Sequence, residues 1–277
     1  RSDEMIFVVV MQTIAANLGS MLTPIGNPQN LYLSGISGMG TWDIVKLMFP
    51  YSAAAFIMLA IWIAIIAFRN RRYKASSDAM QGDRPPVKPR AVIMYAALFI
   101  VSILAVMRVI HYALPFALVV ICMAVFDRKN FTGIDYSLLG TFAALFIFIG
   151  NIGRIGAFNE WMQNIVTGRE IMVSAAASQI MSNVPAAILL SGFTDAISNL
   201  IVGTNIGGLG TLIASMASLI SFKYIAREYP AQKGRYFCMF TLANVFFLLA
   251  MLIVYLVFLS PVFVKNKTIC LSILIGN

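Results

Sequence analysis

The sequence predicts an all-helical, polytopic membrane protein built as an inverted repeat with broken helices. Hydrophobic residues make up 60% of the 277 positions and charged residues only 11%, whereas a soluble domain carries roughly 25% charged residues. Several apolar runs reach the ~20 residues that a membrane-spanning helix requires. A motif of Asn, Gly and Thr at positions 17, 19 and 23 recurs at positions 205, 207 and 211, at one constant offset of 188 residues. These observations exclude an ordinary soluble domain.

Hydropathy and helix-breaking residues divide the chain into six segments. They are a broken transmembrane helix that ends the first repeat (1–38), a transmembrane helix (39–68), a basic cytoplasmic loop (69–90), scaffold-type transmembrane helices of the second repeat (91–152), a re-entrant hairpin plus the second broken helix (153–222), and a cytoplasmic loop, last transmembrane helix and C-terminal tail (223–277). About six full or broken long spans result.

The repeated motif interrupts two apolar stretches, and we expect the helices to unwind at 17–27 and at 203–211. Glycine and proline at these positions disfavour a continuous helix. Paired interruptions of this kind in corresponding halves are the best pointer in a sequence to the binding site of a secondary transporter. A Gly-rich segment can also serve only as a helix-packing surface, which stays open for each copy taken alone.

Two short apolar arms, Ile171–Met181 and Pro185–Phe193, flank the pair Ser182-Asn183. Arms of about eleven residues are too short to cross a bilayer twice, and they suit a re-entrant hairpin. Pro185 fits the first turn of the second arm, where a missing N–H costs nothing. The alternative is that Ser182-Asn183 merely caps a helix.

Loop charge predicts the orientation. With the 69–90 loop placed inside, the cytoplasmic side holds 14 of the 20 Lys and Arg residues, as the positive-inside rule requires. The two broken helices then run in opposite directions, as an inverted repeat demands. The expected location is the cytoplasmic (inner) membrane of a bacterium.

The repeat also predicts that part of the architecture lies outside the chain. The hairpin tip at Ser182 precedes Asn205 by 23 residues, so the tip of an equivalent first hairpin would fall before Arg1. We therefore expect the first repeat to be incomplete here.

Unwound helices in an apolar setting suit ion binding. They expose carbonyl and N–H groups without helical partners, the carbonyls being suited to sodium and a helix N-terminus to an anion. The candidate binding residues are Asn17, Gly19, Thr23, Gly26, Asn27, Ser182, Asn183, Thr204, Asn205, Gly207, Gly208 and Thr211. Backbone near Gly19 and Gly207 is the candidate for holding sodium.

Three segments resemble the ion transporter superfamily: Thr23–Asn30, Ser182–Pro185 and Gly203–Gly208. The most similar branches are the citrate-transporter-like and divalent anion/sodium symporter permeases, with arsenite permeases and sodium/proton antiporters as more distant relatives. The resemblance implies a scaffold domain that forms a homodimer. It also implies a transport domain of two opposed hairpins and two unwound helices, working by an elevator mechanism.

The same resemblance implies a role for the hairpin tip. In the symporters a Ser-Asn-Thr tip contacts substrate and sodium, and Ser182 and Asn183 match its first two positions. Val184 departs from it, because valine lacks a hydroxyl that could hold a carboxylate. This departure weakens the case for a dicarboxylate substrate.

The function predicted is secondary active transport of a small inorganic or organic anion, coupled to sodium. An enzyme is not expected, because the spans contain no nucleophile–base pair. No cofactor beyond a coupling ion and no nucleic-acid partner is predicted; the expected partners are the anion, the lipid bilayer, a second copy of the chain and a separate N-terminal fragment. An arsenite-type efflux permease, a sodium/proton antiporter and an inactive or split membrane subunit stay open.

Overall fold

The computed structural model describes residues 2–69, 89–134, 136–152 and 154–259, and those residues contain helices and no strand. The α-helices are α1 (Ser2–Ser20), α2 (Pro28–Ser37), α3 (Thr41–Arg69), α4 (Pro89–Val106), α5 (Ala113–Phe126), α6 (Tyr136–Ile152), α7 (Gly156–Val166), α8 (Glu170–Met181), α9 (Asn183–Leu190), α10 (Ile197–Ile206), α11 (Met216–Glu228) and α12 (Lys233–Val254). The predicted all-helical class is confirmed.

The chain forms two compact units. One unit comprises the described residues up to 59 and from 142 onward, and the other comprises those between 60 and 141. The first unit contains both repeats of the motif and the hairpin. The second contains α4 and α5, where the Tyr95 hydroxyl donates a hydrogen bond to the Asp127 carboxylate at 2.7 Å.

The first broken helix consists of α1 and α2, separated by residues 21–27. A single 3₁₀ turn, Pro24–Gly26, occupies the interruption. Asn27 ends it with extended backbone and accepts a hydrogen bond from the Asn30 N–H at 3.0 Å, so that it caps α2. Pro28 is the first residue of α2, where its missing N–H leaves no bond unmade. The chain therefore restarts its helix at the residue that the sequence predicts.

The hairpin consists of α8 and α9, joined at Ser182, whose φ of 75° lies in the left-handed region. Helix α10 packs against both arms. This packing is close because Gly203 and Gly207 face α8: a Cβ at Gly207 would lie 2.7 Å from the Ala175 Cα. Both glycines are thus explained by close helix packing.

The second break lies further along the chain than the sequence predicts. Helix α10 continues to Ile206, and the break runs from 207 to 215 instead of from 203 to 211. The Thr204 hydroxyl donates to the Leu200 carbonyl at 2.7 Å and the Asn205 amide donates to the Ile201 carbonyl at 2.7 Å. Both side chains therefore bond within their own helix. Ser215 then caps α11 by accepting a hydrogen bond from the Ser218 N–H.

Other predicted boundaries also shift. Asn17 and Gly19 lie in the last turn of α1, so the first break starts at 21. Lys223 and Arg227 lie on α11, not in a loop. Helix α3 runs from Thr41 to Arg69, and its first turn contains Asp43. Most of the predicted 69–90 loop and the C-terminal tail beyond residue 259 lie outside the described residues.

Three helical stretches of the described chain are long and apolar enough to cross a membrane: Thr41–Phe68, Pro89–Val106 and Pro230–Val257. The bent pair Leu139–Ile152 and Gly156–Val166 makes a fourth if it forms one span. The other apolar helices, α1, α5 and α10, are shorter. Two of these belong to the broken helices, which accounts for most of the difference from the six predicted spans.

Candidate functional site

The two breaks meet at a cavity of about 240 Å³ in the first unit. The repeated segments lie close together, since the Asn27 side-chain amide donates to the Asn205 Oδ1 at 2.8 Å across the two repeats. Fourteen residues line the cavity: Ala16, Asn17, Ser20, Gly26, Asn27, Pro28, Gln29, Asn183, Val184, Asn205, Gly208, Ser215, Met216 and Ala217.

Six of the twelve candidate residues line this cavity. They are Asn17, Gly26, Asn27, Asn183, Asn205 and Gly208. Gly26 allows the chain to turn back on α1, because a Cβ there would overlap the Ser20 carbonyl group. The Asn17 amide spans the cavity wall and donates to the Gly208 carbonyl and to the Ser218 hydroxyl, both at 3.4 Å.

The other six candidates do not line the cavity. Five of them are Thr23, Ser182, Thr204, Gly207 and Thr211. The sixth, Gly19, faces a separate apolar cavity of about 450 Å³ between α1 and α3. Four of them have structural roles: Ser182 forms the hairpin turn, Gly207 packs against α8, and Thr204 and Thr211 make hydrogen bonds within the protein. A direct role of these six in binding stays a prediction.

Gln179, which sequence reasoning missed, holds the second break. Its side-chain amide donates to the Gly207 carbonyl at 2.8 Å, and its Oε1 accepts from the Thr211 N–H at 2.9 Å. The Thr211 hydroxyl donates to the Gln179 carbonyl at 3.0 Å. The Gly207 carbonyl, proposed from sequence for sodium, is therefore already hydrogen-bonded. The available signal was the one side-chain amide in an arm whose other residues are apolar or serine, one turn before the tip.

Asn30 is the second missed residue. It is fully buried, with 0% exposure, and lies on α2 behind the cavity wall. Its Oδ1 accepts from the Asn205 amide at 2.5 Å, and its own amide donates to the Met21 and Thr23 carbonyls at 3.1 and 3.3 Å. The Thr23-to-Asn30 segment was recognised as a motif, but nothing in the sequence shows that Asn30 points across to the second repeat.

Five helix ends surround the cavity, and their charges differ in sign. The N-termini of α2, α9 and α11 contribute the first two residues of each helix to the lining. The C-terminal ends of α1 and α10 contribute Asn17 and Ser20, and Asn205 and Gly208. Helix N-termini carry partial positive charge and C-termini partial negative charge. Partial charges of both signs therefore line the cavity.

Side-chain amides supply the remaining polar groups. Among the described residues, the Asn183 Nδ2 and the Asn17 Oδ1 have no hydrogen-bond partner, so a donor and an acceptor are free in the lining. No group of three or more His, Cys, Asp or Glu side chains in the described part of the chain could hold a metal ion. A cation at this cavity would therefore be held by neutral oxygens.

Comparisons with known proteins find one family and two relatives with transporter or membrane-protein names. Residues 3–200 match the citrate transporter family. The uncharacterized transporter MJ0456 of Methanocaldococcus jannaschii is 34% identical over 218 residues, and the inner membrane protein YbiR of Escherichia coli is 28% identical over 219. The matched parts cover 78% of this chain but only 57% and 58% of these relatives. No solved structure matches the chain.

Proposed function

This chain belongs to the citrate transporter family, and we propose that it carries the binding site of a secondary active transporter that moves a small anion together with sodium. The observation that supports this most is the meeting of three helix N-termini and two helix C-termini at one cavity. Each terminus is worth about 0.3–1 kcal/mol to a neighbouring charge. One cavity that attracts both signs of charge is the arrangement that co-transport of an anion and a cation needs.

The anion side lies at the hairpin tip. Asn183 is the first residue of α9 and directs a free amide donor toward the cavity, next to the positive end of that helix. Val184, beside it, offers only an apolar surface. The volume of about 240 Å³ falls below the ~300 Å³ at which pockets for drug-sized ligands begin. A small anion fits these features, and citrate is the first to test because the family is named for it.

The cation side lies at the ends of α1 and α10. The Asn17 and Asn205 side-chain oxygens and the Gly208 carbonyl belong to this wall. Neutral oxygens of this type suit a hard cation such as sodium. No Asp, Glu or His lines the cavity, so among its described residues there is no group to carry a proton.

A buried carboxylate elsewhere makes proton coupling the competing hypothesis. Glu170 is 4% exposed and accepts hydrogen bonds from the Gly168 N–H, the Thr194 hydroxyl and the Asn199 amide. It lies twelve residues before Ser182, which is about 18 Å along a helix. These hydrogen bonds connect the start of α8 with the segment that follows α9, at the open end of the hairpin. We therefore assign Glu170 a structural role.

The test is uptake into vesicles that contain the complete gene product. Labelled citrate, and then a panel of smaller anions, is supplied with an inward sodium gradient or with a pH gradient alone. We expect uptake to require sodium. Asn183→Ala and Asn205→Ala should each abolish it with expression near normal, because both side chains serve the ligands. Asn244→Ala is the matched control: Asn244 is equally buried but bonds only within α12, to the Phe240 carbonyl at 2.9 Å.

Two results would overturn the proposal. Uptake driven by a pH gradient without sodium would show that the coupling ion is a proton, and Glu170 would become the candidate proton carrier. Normal transport by Asn205→Ala would show that the amide cluster at the breaks is only a packing feature.

A further inference from the structure

Asn30 occupies a fixed place between the two breaks. It is completely buried, does not line the cavity, and uses its side chain to connect the first break with Asn205. The amide of Asn30 can be oriented in only one way. Its Nδ2 faces the Met21 and Thr23 carbonyls, which can only accept hydrogen bonds. Turning the amide over would place its oxygen against these two oxygens.

The orientation of Asn30 dictates that of Asn205. With Asn30 Oδ1 fixed as an acceptor, Asn205 must present its Nδ2, which also donates to the Ile201 carbonyl. Both N–H bonds of Asn205 are thereby used. Its Oδ1 is left for the other side, where Asn27 donates to one lone pair and the second is available. Carbonyls freed by the first break thus determine, through two amides, which atom of Asn205 faces the cavity.

We infer that Asn30 is a positioning residue that makes Asn205 an oxygen ligand for the coupling cation and withholds its amide from the anion. The inference rests on the proposed function and deepens it. The two asparagines on the lining then have different tasks: Asn205 serves the cation through its oxygen, and Asn183 serves the anion through its N–H. Without Asn30, the Asn205 amide is free to turn its donor into the cavity, where it repels a cation.

The experiment measures sodium binding separately from stability. The complete, purified protein is unfolded by heat in detergent while sodium chloride replaces choline chloride stepwise at constant ionic strength. The stabilisation grows as RT ln(1 + [Na⁺]/Kd), and a fit of this curve gives the sodium dissociation constant, that is, the half-saturating sodium concentration, whatever the starting melting temperature. The variants are Asn30→Ala and the milder Asn30→Ser, with Asn244→Ala as the control that removes an equally buried amide from α12.

We expect Asn30→Ala to raise this half-saturating sodium concentration roughly tenfold, the effect of losing one oriented ligand of ordinary hydrogen-bond strength. Asn30→Ser should show a smaller increase, and Asn244→Ala should stay within about twofold of wild type. In vesicles, the uptake rate of Asn30→Ala should recover at high sodium.

Three results would overturn the inference. An unchanged half-saturating sodium concentration in Asn30→Ala would mean that Asn30 does not orient a cation ligand. Failure of both Asn30 variants to accumulate, while Asn244→Ala accumulates, would reduce Asn30 to a folding role. If sodium does not specifically stabilise the wild type, the protein binds no sodium, and the sodium coupling in the proposed function is wrong as well. The wild-type measurement therefore separates the two failures.

Discussion

The two breaks are supported in different ways. In the first break, 21–27, the partners of the backbone lie close in sequence: Asn30 binds the Met21 and Thr23 carbonyls nine and seven residues away. In the second break, 207–215, the partners come from the hairpin. Gln179 binds Gly207 and Thr211 across 28 and 32 residues, and the Asn183 N–H donates to the Ala214 carbonyl at 2.9 Å.

This difference indicates which parts of the site move together. The first break is shaped mainly by its own stretch of chain. The second break cannot keep its shape without the hairpin, so the hairpin tip and the second break form one structural element. Among the described residues around the cavity, the side-chain hydrogen bonds that join the repeats involve four asparagines and one serine: Asn17, Asn27, Asn30, Asn205 and Ser218. A change in the hairpin should therefore affect the second break first.

The largest expected effect tests the local character of the first break. Gly26→Ala places a Cβ against the Ser20 backbone, which cannot yield without moving α1, and we expect a loss of about 3 kcal/mol. Gly19→Ala is the matched control seven residues earlier: it meets no atom within 4 Å, and in a helix it should gain about 1 kcal/mol. Thermal unfolding in detergent measures both, and equal stabilities would show that the first break is not held by its own backbone.

The next effect tests the dependence of the second break on the hairpin. Gln179→Ala removes both side-chain hydrogen bonds to the second break and leaves the Gly207 carbonyl and Thr211 N–H unpaired, a loss of about 2 kcal/mol. In a cysteine-free background, a reporter cysteine at Met216 should then label faster, while one at Ile25 in the first break should not change. Gln163→Ala, on an exposed side chain, is the control. Equal acceleration at both reporters would contradict the separation of the two breaks.

The smallest effect concerns the feature that both breaks share, a side-chain cap on the helix that follows. Ser215→Ala removes the cap of α11 and should cost about 1 kcal/mol of stability, whereas Ser215→Thr keeps the hydroxyl and should be nearly neutral. Asn27→Ala should cost more, because Asn27 also donates to Asn205. A comparison of melting temperatures checks this order; a Ser215→Ala loss as large as that of Asn27→Ala would mean that the bridge to Asn205 adds nothing.

Helix boundaries could be predicted from the sequence where residues close in the chain determine them. Helix α8 ends at Met181, the predicted end of the first hairpin arm, and α2 begins at Pro28, directly after the predicted break of 17–27. The shift of the second break from 203 to 207 had no such signal. Glycine at 203 and 207 suggests unwinding by composition, but in the structure both glycines serve packing against α8. Glycine occurs both where a helix unwinds and where two helices pack closely, and only the position of the neighbouring helix distinguishes the two cases.

The sequence by itself determined that this chain lies in a membrane, that two of its helices break, and that the breaks correspond. These properties follow from composition and from the backbone preferences of glycine and proline, which act within a few residues. Only the tertiary structure decided which polar atoms face the cavity. Asn30 and Asn205 are 175 residues apart, and the direction of each amide depends on whether its neighbour donates or accepts. Hydrogen-bond direction is a property of atoms in contact, so it becomes defined only when the two repeats have come together.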